Sequence, residues 1–226
     1  MYNKRRGFLD ELVGDEHVIG LEIGPLDKPL VVRKSLISGK KIFYGDHLTT
    51  EDLKKKYKLD SSVNLGNLVD VDLISSSGDY TEALSGQLVD YIVASHVVEH
   101  VPNPIRWLQQ LFRVLRPGGF LFLVVPDKRF TFDYQRPATT FGTMLEAYLS
   151  DKKIPSTADV FDHYSSAVLI DGGKVWSGSI GAGDLTPLTS HQNALQYAEE
   201  VHKKSTYHDV HVSVFTPFSF FSIIER

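Results

Sequence analysis

Five short apolar runs, each closing on or next to a polar or acidic residue, constrain this chain more than any other feature. They are HVIGLEIG (17–24), KKIFYGDH (40–47), LVDVDLI (68–74), LVDYIVASH (88–96) and FLFLVVPD (120–127). Runs of this length, rich in Val, Ile and Phe, read as strands. Residues 68–74 alternate apolar side chains with Asp at period two. Residues 120–127 are the most apolar, the pattern of a strand covered on both faces in a parallel sheet. Helical patterns lie between the runs. Lys4 to Val13 fits an opening helix, and TTEDLKKKYK carries Thr50 as a candidate N-cap with acids in its first turn. NPIRWLQQLFRVLRPGG is the clearest helix: Asn103 caps it, Pro104 takes the first position, and Pro117-Gly118-Gly119 stops it. Ile105, Leu108, Leu111, Phe112 and Leu115 form its apolar stripe. Strands alternating with helices mean βαβ units and a helix-covered parallel sheet.

Composition narrows the class. With 42% apolar and 23% charged residues, the chain is neither disordered nor collagen-like. Its longest apolar run, Phe120 to Val125, is too short for a bilayer, and acids at Asp10 and Glu11 interrupt any signal core. These features predict a cytoplasmic protein with no membrane partner. A net charge of -4 argues against nucleic-acid binding. The absence of cysteine removes disulfides, thiolate metal sites and a Cys nucleophile together.

Ligands of open parallel sheets bind beyond the carboxyl ends of the strands. The residues found there are Glu22-Ile23-Gly24-Pro25, Asp46-His47, Asp70 and Asp72 with Asp79 further on, Ser95-His96 leading to Glu99-His100, and Asp127-Lys128-Arg129. Asp46 follows the first turn by the interval at which an acid holds ribose hydroxyls. The first turn lacks G-x-G-x-x-G, and Pro25 removes an N–H, which disfavours a pyrophosphate-containing dinucleotide.

The set LEIG (21–24), YGDH (44–47), VDYIVASHVVEHV (89–101) and WLQQLFRVLRPGGFLFLVVPD (107–127) resembles the class I methyltransferases that use S-adenosylmethionine. PDKRFTFDYQRPAT (126–139) and DVHVSVFTPFSF (209–220) look like a subgroup associated with bacterial glycan or polysaccharide biosynthesis. The resemblance implies an α/β fold, a doubly wound Rossmann-like parallel sheet of order 3-2-1-4-5, with a mostly helical insert after strand five. It divides the chain into a cofactor-binding core (1–126), an insert covering the active site (127–208), and a returning strand and last helix of the core (209–226). The final antiparallel strand pair of such folds has no obvious counterpart, so either the chain is truncated at 226 or another segment fills that role. By the same resemblance Glu22 and Gly24 face the methionine part of S-adenosylmethionine. Asp46 holds the ribose, Asp72 or else Asp79 lies near the adenine, and Ser95 and His96 flank the sulfonium. S-adenosylhomocysteine is the implied product.

The implied reaction is methyl transfer to a small polar acceptor, with a hydroxyl of a sugar, a phosphorylated sugar or a glycan-linked group favoured. A hydroxyl must lose its proton, so a base is expected. Asp133, His163 and His211 are the residues assigned, with Asp162 and His191 as further candidates. Residues 209 and 211 would share one face of a strand. Arg129 and Arg136 could meet an acceptor phosphate, or be solvated charges. His100 reads first as a structural residue at a tight turn. His and Asp side chains could also hold a divalent ion beside a sugar diol, but their spacing fits no established signature, so no metal ligand is assigned. A homodimer is compatible with the sequence. The rival readings are a degenerate binding protein on the same fold and a nicotinamide-dependent oxidoreductase, the latter opposed by the missing glycine motif.

Overall fold

The computed structural model describes residues 2–225. They divide into two compact units, one of the residues up to 97 and of 106–124, the other of 98–105 and the residues from 125 on. The chain therefore passes from one unit to the other three times.

The first unit is built on a five-stranded parallel sheet of order β3-β2-β1-β4-β5. The strands are β1 (Ile19–Ile23), β2 (Lys41–Asp46), β3 (Leu73–Ile74), β4 (Val89–Ser95) and β5 (Leu115–Val124). Helix α1 (Tyr2–Val13) precedes β1, α2 (Thr50–Lys56) lies between β2 and β3, and α3 (Pro104–Val114) leads into β5. The expected sheet order is thus present, and so is its doubly wound character. On one face, Leu9 and Val13 of α1 and Leu30 and Val31 of the following loop pack on Ile42, Tyr44, Tyr91 and Val93. The register aligns Gly20 with both Ile42 and Tyr91, and Glu22 with Tyr44 and Val93. A Cβ at Gly20 would stand 2.3 Å from Cζ of Tyr91, so the glycine makes room for that ring. Asp90 ties β1 to β4: its Oδ2 accepts from the amides of Val18 and Ile19, both at 2.8 Å, while Oδ1 pairs with Arg116.

Several local expectations give way. Residues 68–74 hold only two ladder residues, because Val69 and Val71 donate to Leu26 O and Thr50 Oγ1 instead. The cap of α2 is Thr49, whose side chain accepts from Asp52 N at 3.1 Å, not Thr50. On α3 the buried positions are Pro104, Trp107, Leu111 and Val114, and Phe112 is exposed. β5 is half-buried rather than covered on both faces, since it is the sheet edge and has one neighbour. No α-helix joins β1 to β2. Pro25 and Pro29 withhold two amides there, and only a 3₁₀ turn (Arg33–Ser35) forms.

The second unit contains α4 (Phe141–Leu149), α5 (Thr157–Ser166), a two-stranded antiparallel pair of β6 (Val168–Leu169) and β7 (Thr186–Pro187), α6 (Gly172–Trp176), α7 (His191–Lys204) and α8 (Pro217–Ile224). The glycine-rich stretch 171–184 contains α6 because Asp171 caps it through the amides of Gly173 and Lys174. Ala194, Ala198 and Val201 line one face of α7, and Val160, Val201 and Val210 form a small core. Ser156 with Asp159, and Thr216 with Ser219, close capping boxes on α5 and α8. Residues 209–216 do not form the expected returning strand. Their amides are claimed elsewhere: His211 N by His163 Nδ1, Val212 N and Ser213 N by the single carbonyl of Glu99, and Val214 N by Thr139 Oγ1. Phe215 alone makes an isolated bridge, to Asp127. This segment and α8 fall within the second unit. Among the described residues no helix is long and apolar enough to cross a membrane.

Candidate active site

The carboxyl edge of the first unit's sheet gathers most of the residues assigned to the cofactor. Ile23 pairs with Gly45, so Gly24 and Asp46 follow side by side, and Gly24 N donates to Gly45 O at 2.9 Å. Gly24 has φ +62°, and a Cβ there would lie 3.1 Å from Cγ2 of Val97. Leu26, two residues on, is also left-handed (φ 46°), as is His96 (φ 57°). Non-glycine residues seldom adopt this conformation, and where they do they concentrate at functional turns. The chain therefore reverses sharply just beyond β1 and just beyond β4.

Asp46 is buried at the end of β2. Its Oδ1 accepts from His47 N at 2.7 Å, and His47 Nδ1 lies 2.6 Å from the same oxygen. Beneath it, the ring of Tyr80 fills the space that a side chain at Gly45 would need. Burial, with Asp46 nearby, raises the Tyr80 hydroxyl above the usual tyrosine range. Tyr80 carries no signal in the sequence. Ser95 ends β4 opposite Val124, and His96 N donates to Val124 O at 2.9 Å. The His96 imidazole is exposed, with Nε2 3.3 Å from Arg5 Nη1.

Glu22 has a different part. It is 1% exposed, and its two oxygens accept from Leu30 N at 2.6 Å and Val31 N at 2.9 Å. Burial pushes its pKa up to about 7 against these two stabilising amides. Glu22 thus secures the loop behind the first turn. Asp72 lies below the sheet edge: Oδ2 accepts from Tyr44 N at 2.8 Å and pairs with Arg33. Asp79 accepts from Thr81 N at 3.0 Å, in the loop that follows β3.

The three residues assigned to catalysis converge in the second unit. His211 Nδ1 and Asp133 Oδ2 are 2.5 Å apart, and Arg136 Nη1 donates to Asp133 Oδ1 at 3.0 Å and to His211 O at 2.8 Å. Burial acts to raise the Asp133 pKa, but the His211 hydrogen bond and Arg136 hold it below the usual carboxylate range. His163 Nδ1 accepts the amide of His211 at 3.1 Å, and burial beside His211 lowers its pKa to about 4. His163 is therefore a neutral acceptor that fixes the backbone of His211. Arg136 is buried with Nη1 engaged in this cluster, so the alternative that it is a solvated surface charge is corrected. Arg129 is exposed and paired with Asp127. Asp162 and His191 are exposed and stand outside the cluster.

Two residues that sequence reasoning set aside join the group. Glu99 and His100 lie on a 3₁₀ turn, and each offers a ligand atom within 4.8 Å of one on His211. The His100 and His211 rings meet edge-on with centroids 4.7 Å apart. The E-H step was visible in the sequence, but its proximity to His211 follows only from the fold.

The sheet order and the acid and glycine at its carboxyl edge define a Rossmann-like methyltransferase fold. A family model described as a methyltransferase domain matches residues 16–175, and the chain belongs to that family. Among solved structures the chain is similar to the CurJ carbon methyltransferase, at 17% identity over 54% of this chain and 34% of that one, with a TM-score of 0.39. It is also similar to the trans-methyltransferase CalH, solved in complex with SAH, at 22% identity over 56% of this chain and 40% of that one, with a TM-score of 0.38. The alignments thus take in well under half the length of either protein. No curated protein matches.

Proposed function

We propose that this chain transfers a methyl group from S-adenosylmethionine to a hydroxyl of a small polar acceptor, of a sugar or glycan-linked kind. The observation that carries the cofactor reading is the placement of Gly24 and Asp46 just past the paired Ile23 and Gly45 at the carboxyl edge of β1 and β2, in a chain of the methyltransferase-domain family. In this reading Asp46 receives the ribose hydroxyls and the left-handed turn at Gly24 admits the methionine part. Ser95 and His96 flank the sulfonium, and the adenine side falls to the 75–79 loop rather than to Asp72. The absence of a helix behind the first turn supports a nucleoside ligand over a dinucleotide.

The cofactor supplies an already activated methyl group on a sulfonium. What remains for the protein is to orient the acceptor and take its proton. The Asp133–His211 pair suits the second task. With Nδ1 engaged by a carboxylate, Nε2 is the basic nitrogen, and a positive charge on the ring is compensated. This pair favours an oxygen acceptor.

Calorimetric titration with S-adenosylmethionine, S-adenosylhomocysteine and, as control, NAD tests the cofactor reading. Micromolar binding of the sulfur nucleosides, lost in Asp46→Ala, is expected. A folded protein that binds neither would leave the degenerate binding-protein reading in its place. Methyl transfer from labelled cofactor to a panel of sugars and carbon acids then tests the acceptor class.

A further inference from the structure

We infer that Glu99, His100 and His211 form a binding site for a divalent transition-metal ion. Three observations within the second unit carry this. First, one ligand atom from each residue lies within 4.8 Å of the others, the spread that a single ion can draw together. Two imidazoles bound to one ion at about 2.1 Å would hold their ring centroids about 4.5 to 5.2 Å apart. The His100 and His211 centroids are 4.7 Å apart.

Second, His211 has the carboxylate partner that metal-bound histidines use to set their orientation, and His100 has a carboxylate within ion-pair distance. Asp133 Oδ2 is 2.5 Å from His211 Nδ1, which makes Nε2 the ligand atom, and Asp209 Oδ1 is 2.9 Å from His100 Nδ1. Arg136 in turn fixes Asp133.

Third, the backbone locks the two sequence segments in register. The Glu99 carbonyl accepts from Val212 N at 2.7 Å and from Ser213 N at 3.0 Å, while His163 holds the amide of His211. The backbone of the site is thus fixed before any ion arrives, and only the side chains must close on it. The donor set of two nitrogens and one carboxylate suits Zn²⁺, Co²⁺, Ni²⁺, Mn²⁺ or Fe²⁺, and disfavours Ca²⁺ and Mg²⁺, which prefer oxygen alone. Three protein ligands leave a coordination position for a small molecule.

The inference does not depend on methyl transfer, because the ion is detected without cofactor or acceptor. It changes one detail of that reading: a lone pair on His211 Nε2 that holds an ion cannot also take a proton. An ion there would supply Lewis acidity toward an acceptor hydroxyl.

The test is titration of the chelator-treated full chain with Zn²⁺ alone, followed by Co²⁺ alone with visible absorption as the readout. One saturable equivalent is expected, with Co²⁺ developing the ligand-field bands of a protein-bound ion. Glu99→Gln and His211→Ala should each weaken binding at least tenfold, and Asp133→Asn about 10- to 100-fold. His191→Ala, an exposed histidine outside the cluster, should leave it unchanged. Circular dichroism checks that each variant is folded. Absence of saturable binding by the wild-type chain would overturn the inference whatever the variants do. So would binding that survives unchanged in folded Glu99→Gln. If binding is confirmed, chelation should also abolish any methyl transfer, whereas activity that persists after chelation would return His211 to the role of base and overturn a catalytic role for the ion.

Discussion

Asp133 Oδ2 stands 2.5 Å from His211 Nδ1, although 78 positions separate the two residues. The contact owes nothing to a strand or helix periodicity. It exists because Arg136 bridges the Asp133 carboxylate and the His211 carbonyl, while His163 takes the His211 amide. Each polar group of this buried cluster thus supports another, an arrangement that is costly to interrupt.

Replacing Asp133 by Asn should therefore be expensive. Arg136 is 6% exposed and would lose its carboxylate partner inside the protein. Breaking one side of a buried ion pair costs about 3–5 kcal/mol. Urea unfolding should show a loss of that order in Asp133→Asn, with part of it recovered when Arg136→Met removes the stranded cation. Additive losses in the double variant would mean that the two side chains do not act as a pair.

Glu22 gives the first unit a pH dependence of unusual sign. Its native pKa is raised from the ordinary 4.5 of a glutamate to about 7, so the folded chain holds this proton more tightly than the unfolded chain does. The associated stability is fully present below the unfolded value and is lost as the pH climbs through about 7. The shift corresponds to a contribution of up to about 3 kcal/mol. Unfolding free energies measured from about pH 5 to about pH 8 should decline through this group in wild type, and the decline should be absent in Glu22→Gln. Parallel curves for the two proteins would rule the assignment out.

At Gly20 the expected cost is steric. An added Cβ would meet the Tyr91 ring at 2.3 Å, and Tyr91 is 1% exposed and stacked on Phe120. Gly20→Ala should lose about 1–3 kcal/mol through overpacking. Combined with Tyr91→Leu, which removes the ring, it should cost less than the sum of the two single changes. A double-mutant cycle by chemical denaturation measures this, and a coupling near zero would show that the ring moves aside freely.

Gly24→Ala tests the first turn. Alanine at a φ of +62° carries about 1–2 kcal/mol of backbone strain, and its methyl would press on Val97. Stability should fall by about that amount, and affinity for S-adenosylhomocysteine should fall as the turn relaxes. Unchanged affinity in a calorimetric titration would remove the first turn from the cofactor site.

The sheet was legible because its signals are local. Apolar runs closed by polar residues gave all five strands, and Pro104 with Pro117-Gly118-Gly119 bounded the main helix closely. The errors arose where distant groups decide the local structure. Residues 209–216 have a strand's composition, but their amides are taken by Glu99, Thr139 and His163. Residues 68–72 alternate correctly, but loop and side-chain acceptors replace a ladder. The candidate site divides in the same way. Gly24 and Asp46 could be read from their positions after strands. Glu99 and His100 could not be joined to His211, since nothing in the spacing of the letters reports that a single carbonyl collects two amides from the far end of the chain.

That carbonyl also sets a schedule. Glu99 and His100 emerge during synthesis more than a hundred residues before His211. At ordinary elongation rates this is a wait on the order of ten seconds. The strands of the sheet are complete by Val124, long before the partners of Glu99 exist. A buried carboxylate at Glu99 must therefore stay hydrated until residues 211–213 emerge, and a ribosome stalled short of Val212 would hold the strands of the sheet with the histidine cluster still unmade.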